Sequence, residues 1–202
     1  DLRHGELVTT AREILRALEG ELGKEFVEAL LNANQDDDQG IEAQRERVFV
    51  APTLGNLYTV LHEATPWGLT PTMACNRGVD KELERGIENM RTLQRCGVRV
   101  LPGGDYGFAW NPIGANARDI EHFVSLLGFT PMQAILAATK LGGEIMGAAH
   151  EIGQIKQGFL ADLLLVDGDP LRNVTLLRQR DKLSVIMKSG VMHKLHHGAP
   201  HQ

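Results

Sequence analysis

Two short apolar, β-branched runs stand on either side of one strongly periodic helical segment, and this order constrains the fold more than any other feature of the chain. The run Arg47-Val48-Phe49-Val50-Ala51 stops at Pro52-Thr53 and predicts a buried strand. Lys81 to Cys96 carries Leu83, Ile87, Met90 and Leu93 on one face and ends at Gly97, which predicts a helix with a glycine C-cap. Val98-Arg99-Val100-Leu101 follows as a second strand, running into Pro102-Gly103-Gly104-Asp105. Strand, connection, helix and strand is the order of a parallel sheet with its crossover helix. Within the connection, Leu54 to Gly78 holds Asn56, Tyr58, His62, Trp67 and two prolines, and it reads as a long loop of the kind that carries function.

The flanks extend this α/β body. Upstream, Ala11, Ile14, Leu15, Leu18 and Leu22 recur at helical spacing behind Thr9 and Thr10, an apolar run spans Phe26 to Leu31, and Asp36-Asp37-Asp38 reads as a solvated turn or helix start. Downstream, Ala117 to Leu127 is expected as a helix with Ile120, Phe123, Val124 and Leu127 on one face. Thr130-Pro131 opens another that continues to Met146. The last fifty residues change character: Ile152 to Gly158 as a turn-rich β segment, Ala161 to Val166 as a strand, and Ser184 to Lys194 as a strand pair turning at Ser189-Gly190.

Bulk properties narrow the partners. A chain of 202 residues that is 43% hydrophobic can bury a real core. Its net charge of -5 argues against nucleic acid, whose phosphates require concentrated Lys and Arg, and fits a small-molecule substrate or a protein partner better. Cys75 and Cys96 form no CxxC pair, so neither a disulfide framework nor a thiolate zinc site is indicated, and a reducing, cytoplasmic setting is expected. No run reaches the roughly 18 apolar residues of a membrane helix. The start Asp1-Leu2-Arg3-His4 has neither methionine nor signal-peptide form, as expected of a processed, trimmed or partial chain.

Asp105 is the leading chemical candidate, because it follows two small glycines at the C-terminal end of a predicted parallel strand, where α/β barrels keep their sites. A carboxylate there can bind a metal ion or take a proton from water; a plain turn or N-cap aspartate is the alternative, and spacing does not separate the two. His62, His122 and His150 stand at no metal-pair spacing and read as surface or helix-end residues. The tail residues His193, His196, His197 and His201 could bind metal only adventitiously. Tyr58, His62, Tyr106, Trp110 and Arg118 are the candidate substrate contacts. There is no nucleophile elbow, and Gly103-Gly104 lacks the Lys-Ser/Thr of a phosphate loop.

Three segments resemble the amidohydrolase superfamily, in particular its imidazolonepropionase-like and prolidase-like metal-dependent hydrolases. Gly153 to Pro170, with Gly158, Ala161-Asp162 and Asp167, is similar to the stretch in which that family's chain leaves its barrel for a small β-sandwich. Gly103-Gly104-Asp105 resembles the end of the last barrel strand, and Thr130 to Thr139 the helix after it. The resemblance implies the C-terminal part of a (β/α)8 barrel over residues 37–150, β-sandwich return strands over 151–195, an N-terminal helical segment over 1–36 and a tail over 196–202. It also implies metal-activated water attacking an amide or other carbon–nitrogen bond, with a divalent metal, zinc by resemblance, and Asp105 as both metal ligand and catalytic carboxylate. The family's other ligands are missing: where a sixth strand would carry histidine, near Leu30 to Asn34, stand Asn32 and Asn34. Either another part of the protein supplies them, or the chain is a non-catalytic remnant acting by association. A partial barrel exposes strand edges, so association as a homo-oligomer or with a missing N-terminal half is expected.

Overall fold

The computed structural model describes residues 49–195. The expected helix after Thr9, the run to Leu31, the aspartate cluster, the sixth strand near Asn32 and the His196 to His201 tail lie outside them.

Both expected strands form and pair in parallel. Strand β1 (Phe49–Val50) lies beside β2 (Arg99–Val100), with Phe49 opposite Arg99 and Val50 opposite Val100. Leu101 N donates to Val50 O at 3.0 Å and Thr53 N to Gly103 O at 2.9 Å, so the ladder runs past the named strands to the Gly-Gly pair. Close approach is the reason for glycine here: a Cβ at Gly103 would stand 2.7 Å from the Ala51 Cβ.

The crossover differs from the expected long loop. Leu54 to Gly78 forms helix α1 (Leu54–His62), a 3-10 turn (Thr65–Trp67) and helix α2 (Pro71–Asn76). Leu54, Leu57, Tyr58 and Leu61 had the period of a buried helical face, and polar and aromatic residues between them obscured it. Thr70 then caps α2 by accepting from Met73 N, with Pro71 at the first helical position. Helix α3 (Val79–Arg95) matches its expected face: Leu83, Met90 and Leu93 are buried, and Ile87 packs against them. Asp80 and Glu82 in its first turn and Arg95 in its last complement the helix dipole. It closes in a Schellman turn around Gly97 (φ 79°), with Val98 N bonding Leu93 O and Gly97 N bonding Gln94 O.

Helix α4 (Arg118–Ser125) is followed by α5 (Pro131–Ala138), which starts in a full Thr130/Gln133 capping box. The single helix expected from Thr130 to Met146 is broken at Thr139, and α6 (Lys140–Ile145) begins after it. Thr139 Oγ1 bonds back to Ile135 O at 2.7 Å, and Gly153 (φ 85°) packs so closely that a Cβ would stand 2.3 Å from Thr139 O. Ile152 to Gly158 contains turns and no strand, correcting the β expectation. Apolar residues from both strands and from α1, α3, α4 and α5 form one core, with Met90 and Ala134 fully buried.

The last segment is an antiparallel sheet in the order β3 (Leu163–Val166), β4 (Leu183–Lys188), β5 (Val191–Leu195). Ser189 (φ 49°) and Gly190 (φ 78°) make the expected two-residue turn, since both positions need positive φ to match strand twist. Register places Leu163, Leu165, Val185, Met187, Met192 and Leu195 on one apolar face, of which Leu165, Met192 and Leu195 are 45–59% exposed.

Candidate functional site

Asp105 stands past the end of the β2 ladder, exposed, with φ 52°. A non-glycine residue in this left-handed region costs on the order of 1 kcal/mol, and Asp is among the side chains that tolerate it. Gly104 before it is buried, and a Cβ there would meet the Tyr106 ring at 2.4 Å. Asn111, 1% exposed, fixes the turn: its Nδ2 donates to Gly104 O at 2.7 Å and to Asp105 O at 3.1 Å. Asn111 is held in turn by its own backbone, which bridges to Phe108 and accepts from Gly107 N. Next to it, Trp110 Nε1 donates to Asn56 Oδ1 at 3.0 Å, and the indole stacks on Phe108 at 5.2 Å. The loop after β2 is thereby tied to the first turn of α1, which leaves the C-terminal end of β1.

A second group of polar side chains lies between α1 and α4. Tyr58 meets the His62 ring at 4.6 Å and the His122 ring at 4.8 Å, and the Arg118 guanidinium stands 5.5 Å from the Tyr58 ring. Arg118 also bonds Thr59 Oγ1 at 3.4 Å and pairs with Glu63, and that hydrogen bond holds the Glu63 carboxyl below its usual pKa. Asp119 and His122, one helical turn apart, both face Gly55: a Cβ there would be 2.9 Å from Asp119 Oδ1 and 3.7 Å from His122 Nδ1. Glycine lets α1 approach α4 at this point.

Burial dominates the protonation of this group. It pushes the Asp119 carboxyl up to about 6 and the His122 imidazole down to about 4, since both would have to carry charge out of water. His122 Nδ1 is buried without a hydrogen-bond partner. The Tyr106 hydroxyl lies 3.5 Å from the Asn116 carbonyl, and the Asp119 carboxylate is near enough to act on its titration. Burial first, then Asp119, raises the Tyr106 pKa.

Tyr58, His62 and Arg118 are thus brought together, Tyr106 joins them through Asp119, and Trp110 goes instead to Asn56. His122 corrects the reading of surface histidines: it is 5% exposed, because the apolar face of α4 wraps far enough to take it inward. His62 and His150 are exposed as expected, and His150 pairs with Glu151 at 3.0 Å. Asn56, Asn111 and Asp119 were not singled out as site residues, and no local motif marks them: Trp110 beside Asn56 and Gly55 beside Asp119 lie more than fifty residues away from them, and the partners of Asn111 come into reach only through the turn at Asp105. At the other end of β2, an open cleft of about 690 Å³ is lined by Arg99, Glu144, His150 and Lys156. Arg99 there is already paired with Glu144 at 3.3 Å and stacked 3.8 Å over Phe49.

Among the described residues, no group of three or more His, Cys, Asp or Glu side chains stands together to hold a metal ion. One exposed carboxylate is too few for a catalytic metal, which takes about three protein ligands. Asp105 therefore does not make a metal site with its described neighbours. Nor is any helix among those residues long and apolar enough to cross a membrane.

A parallel strand pair with its crossover helices and an appended antiparallel sheet make an α/β body with a carboxylate, Asp105, at the strand end. Residues 34–192 match the Amidohydrolase family, and the chain belongs to it. It is 34% identical over 104 residues to an imidazolonepropionase of Rubrobacter xylanophilus, covering 50% of this chain and 24% of the relative. It is 27% identical over 101 residues to an ochratoxinase of Aspergillus niger, covering 50% and 20%. Among solved structures, a prolidase complexed with N-methylphosphonate-L-proline matches with TM-score 0.65 and 22% identity, over 93% of this chain and 44% of that one. The A. niger ochratoxinase structure gives TM-score 0.64 and 18% identity, over 93% and 46%. These likenesses show a shared fold. The chain spans about a quarter or less of the curated relatives it matches, and under half of these two solved chains.

Proposed function

We propose that this chain is the C-terminal part of a (β/α)8 hydrolase that adds water across an amide or related carbon–nitrogen bond of a small substrate, with Asp105 as its strand-end carboxylate. The observation that carries the reading is Asp105 itself, exposed where a parallel strand ends, in a chain of the amidohydrolase family. Imidazolonepropionase, ochratoxinase and prolidase relatives point to the same bond class. In this scheme water attacks the carbonyl carbon, Asp105 takes the proton, the carbon–nitrogen bond breaks, and the proton passes to the leaving nitrogen.

Members of the family generally use divalent metals. Zinc or another divalent ion would take Asp105 as one ligand and would require the others from outside the described residues. Trp110 is the best placed of the candidate substrate contacts, since its hydrogen bond to Asn56 fixes the ring, whereas Arg118 is already committed to Glu63. Tyr58, His62 and Tyr106 complete the set. The test is product identification by mass spectrometry, with N-acyl amino acids, Xaa-Pro dipeptides and cyclic amides offered to the full-length protein carrying this chain. Water-dependent cleavage of a carbon–nitrogen bond in at least one class is expected. No cleavage in any class, from protein that is folded and supplied with divalent metal, would overturn the reading.

A further inference from the structure

We infer that Asn111 is a positioning residue that sets the geometry of Asp105 by holding the carbonyl groups on either side of it with a single side-chain nitrogen. In extended backbone, successive carbonyls point in opposite directions, whereas in helical backbone of either hand they point the same way. Gly104 O and Asp105 O both converge on Asn111 Nδ2, at 2.7 and 3.1 Å. That convergence is met by the turn observed at Asp105, φ 52°, and it stabilises this turn against the extended backbone in which β2 would otherwise continue.

The nitrogen's assignment follows from what it faces, since an oxygen in its place would meet two carbonyl oxygens. Asn111 is otherwise a poor choice for the position. Its Oδ1 is buried with no hydrogen-bond partner, so an apolar residue of the same size would avoid an orphaned acceptor. What an apolar residue cannot do is donate twice. Without the clamp, Asp105 would relax toward negative φ, swinging its carboxylate away from the strand end.

The inference rests on the reading of Asp105 as the working carboxylate, and the two can fail separately. In the crystal structure of Asn111→Leu, Asp105 is expected to leave the left-handed region. In the full-length protein, kcat is expected to fall about 10- to 100-fold with KM within about threefold, as for a reacting group displaced by about 1 Å. A purely structural residue would lower the melting temperature or the active fraction without that split. Should Asn111→Leu fail to fold, Asn111→Ser keeps one donor, and faster amide hydrogen exchange at Asp105 and Tyr106 is the expected result. An Asp105 that stays near φ 52° with unmoved carboxylate in Asn111→Leu, or unchanged exchange in Asn111→Ser, would overturn the inference. Full turnover in Asp105→Asn would instead overturn the function reading, while φ at Asp105 would still decide the role of Asn111.

Discussion

Replacing Asp119 or His122 singly should tilt the pH dependence of stability in opposite directions. Burial raises the Asp119 carboxyl from 3.8 to about 6, so between those values the native chain holds a proton that the unfolded chain has released. Stability from this group is therefore present at low pH and lost as pH rises toward 6. Burial lowers the His122 imidazole from 6.5 to about 4, so there the unfolded chain holds the extra proton, and stability is lost as pH falls from 6.5 toward 4. In the wild-type chain the two effects offset each other between about pH 4 and 6. A tenfold change in proton affinity is worth about 1.4 kcal/mol, so each group contributes on the order of 3 kcal/mol across its window. Neither residue is among the causes of the other's shift, so removing one leaves the other acting. Urea unfolding at successive pH values from 4 to 7 provides the assay. Relative to wild type, Asp119→Asn should gain stability as pH rises through this range, and His122→Gln should lose it. Two variants whose curves run parallel to wild type would refute the burial argument.

Other perturbations test the packing. Thr130→Ala removes the capping box of α5 and should cost about 1 kcal/mol in urea unfolding. Gly153→Ala sets a Cβ 2.3 Å from Thr139 O at a positive φ, so loss of several kcal/mol or failure to fold is expected from circular dichroism melts. The exposed apolar face of β3–β5 should drive association of the isolated chain. Replacing Leu165 and Leu195 with Glu should shift its sedimentation toward monomer, and unchanged self-association would locate the contact elsewhere.

Much of the architecture was readable from the chain because its signals are local. The strand at Phe49, the α3 face from Leu83 to Leu93, the Gly97 stop, the Thr130 cap and the Ser189-Gly190 turn each depend on neighbours a few residues away. The stretch from Leu54 to Gly78 was misread because Gly55, Pro66 and Pro71 look like loop punctuation. In place, Gly55 permits helix contact, and Pro71 starts a helix. Thr139 was missed as a break because the cause, Gly153 packed against its carbonyl, lies fourteen residues away. The candidate site divides in the same manner. The strand-end position of Asp105 could be read from the chain, and Tyr58, His62 and Arg118 do come together. The buried pair Asp119 and His122 depends on Gly55 of another helix, and Asn111 on carbonyl groups that point at it only once the turn has formed.

The most direct measurement of the central claim is hydrolysis of a responsive carbon–nitrogen substrate by the full-length protein and by its Asp105→Asn variant, with equal folding confirmed by circular dichroism. The account predicts that turnover is abolished in the variant while Asp119→Asn, assayed at neutral pH, retains it. Turnover undiminished in Asp105→Asn would contradict the assignment of Asp105 as the working carboxylate.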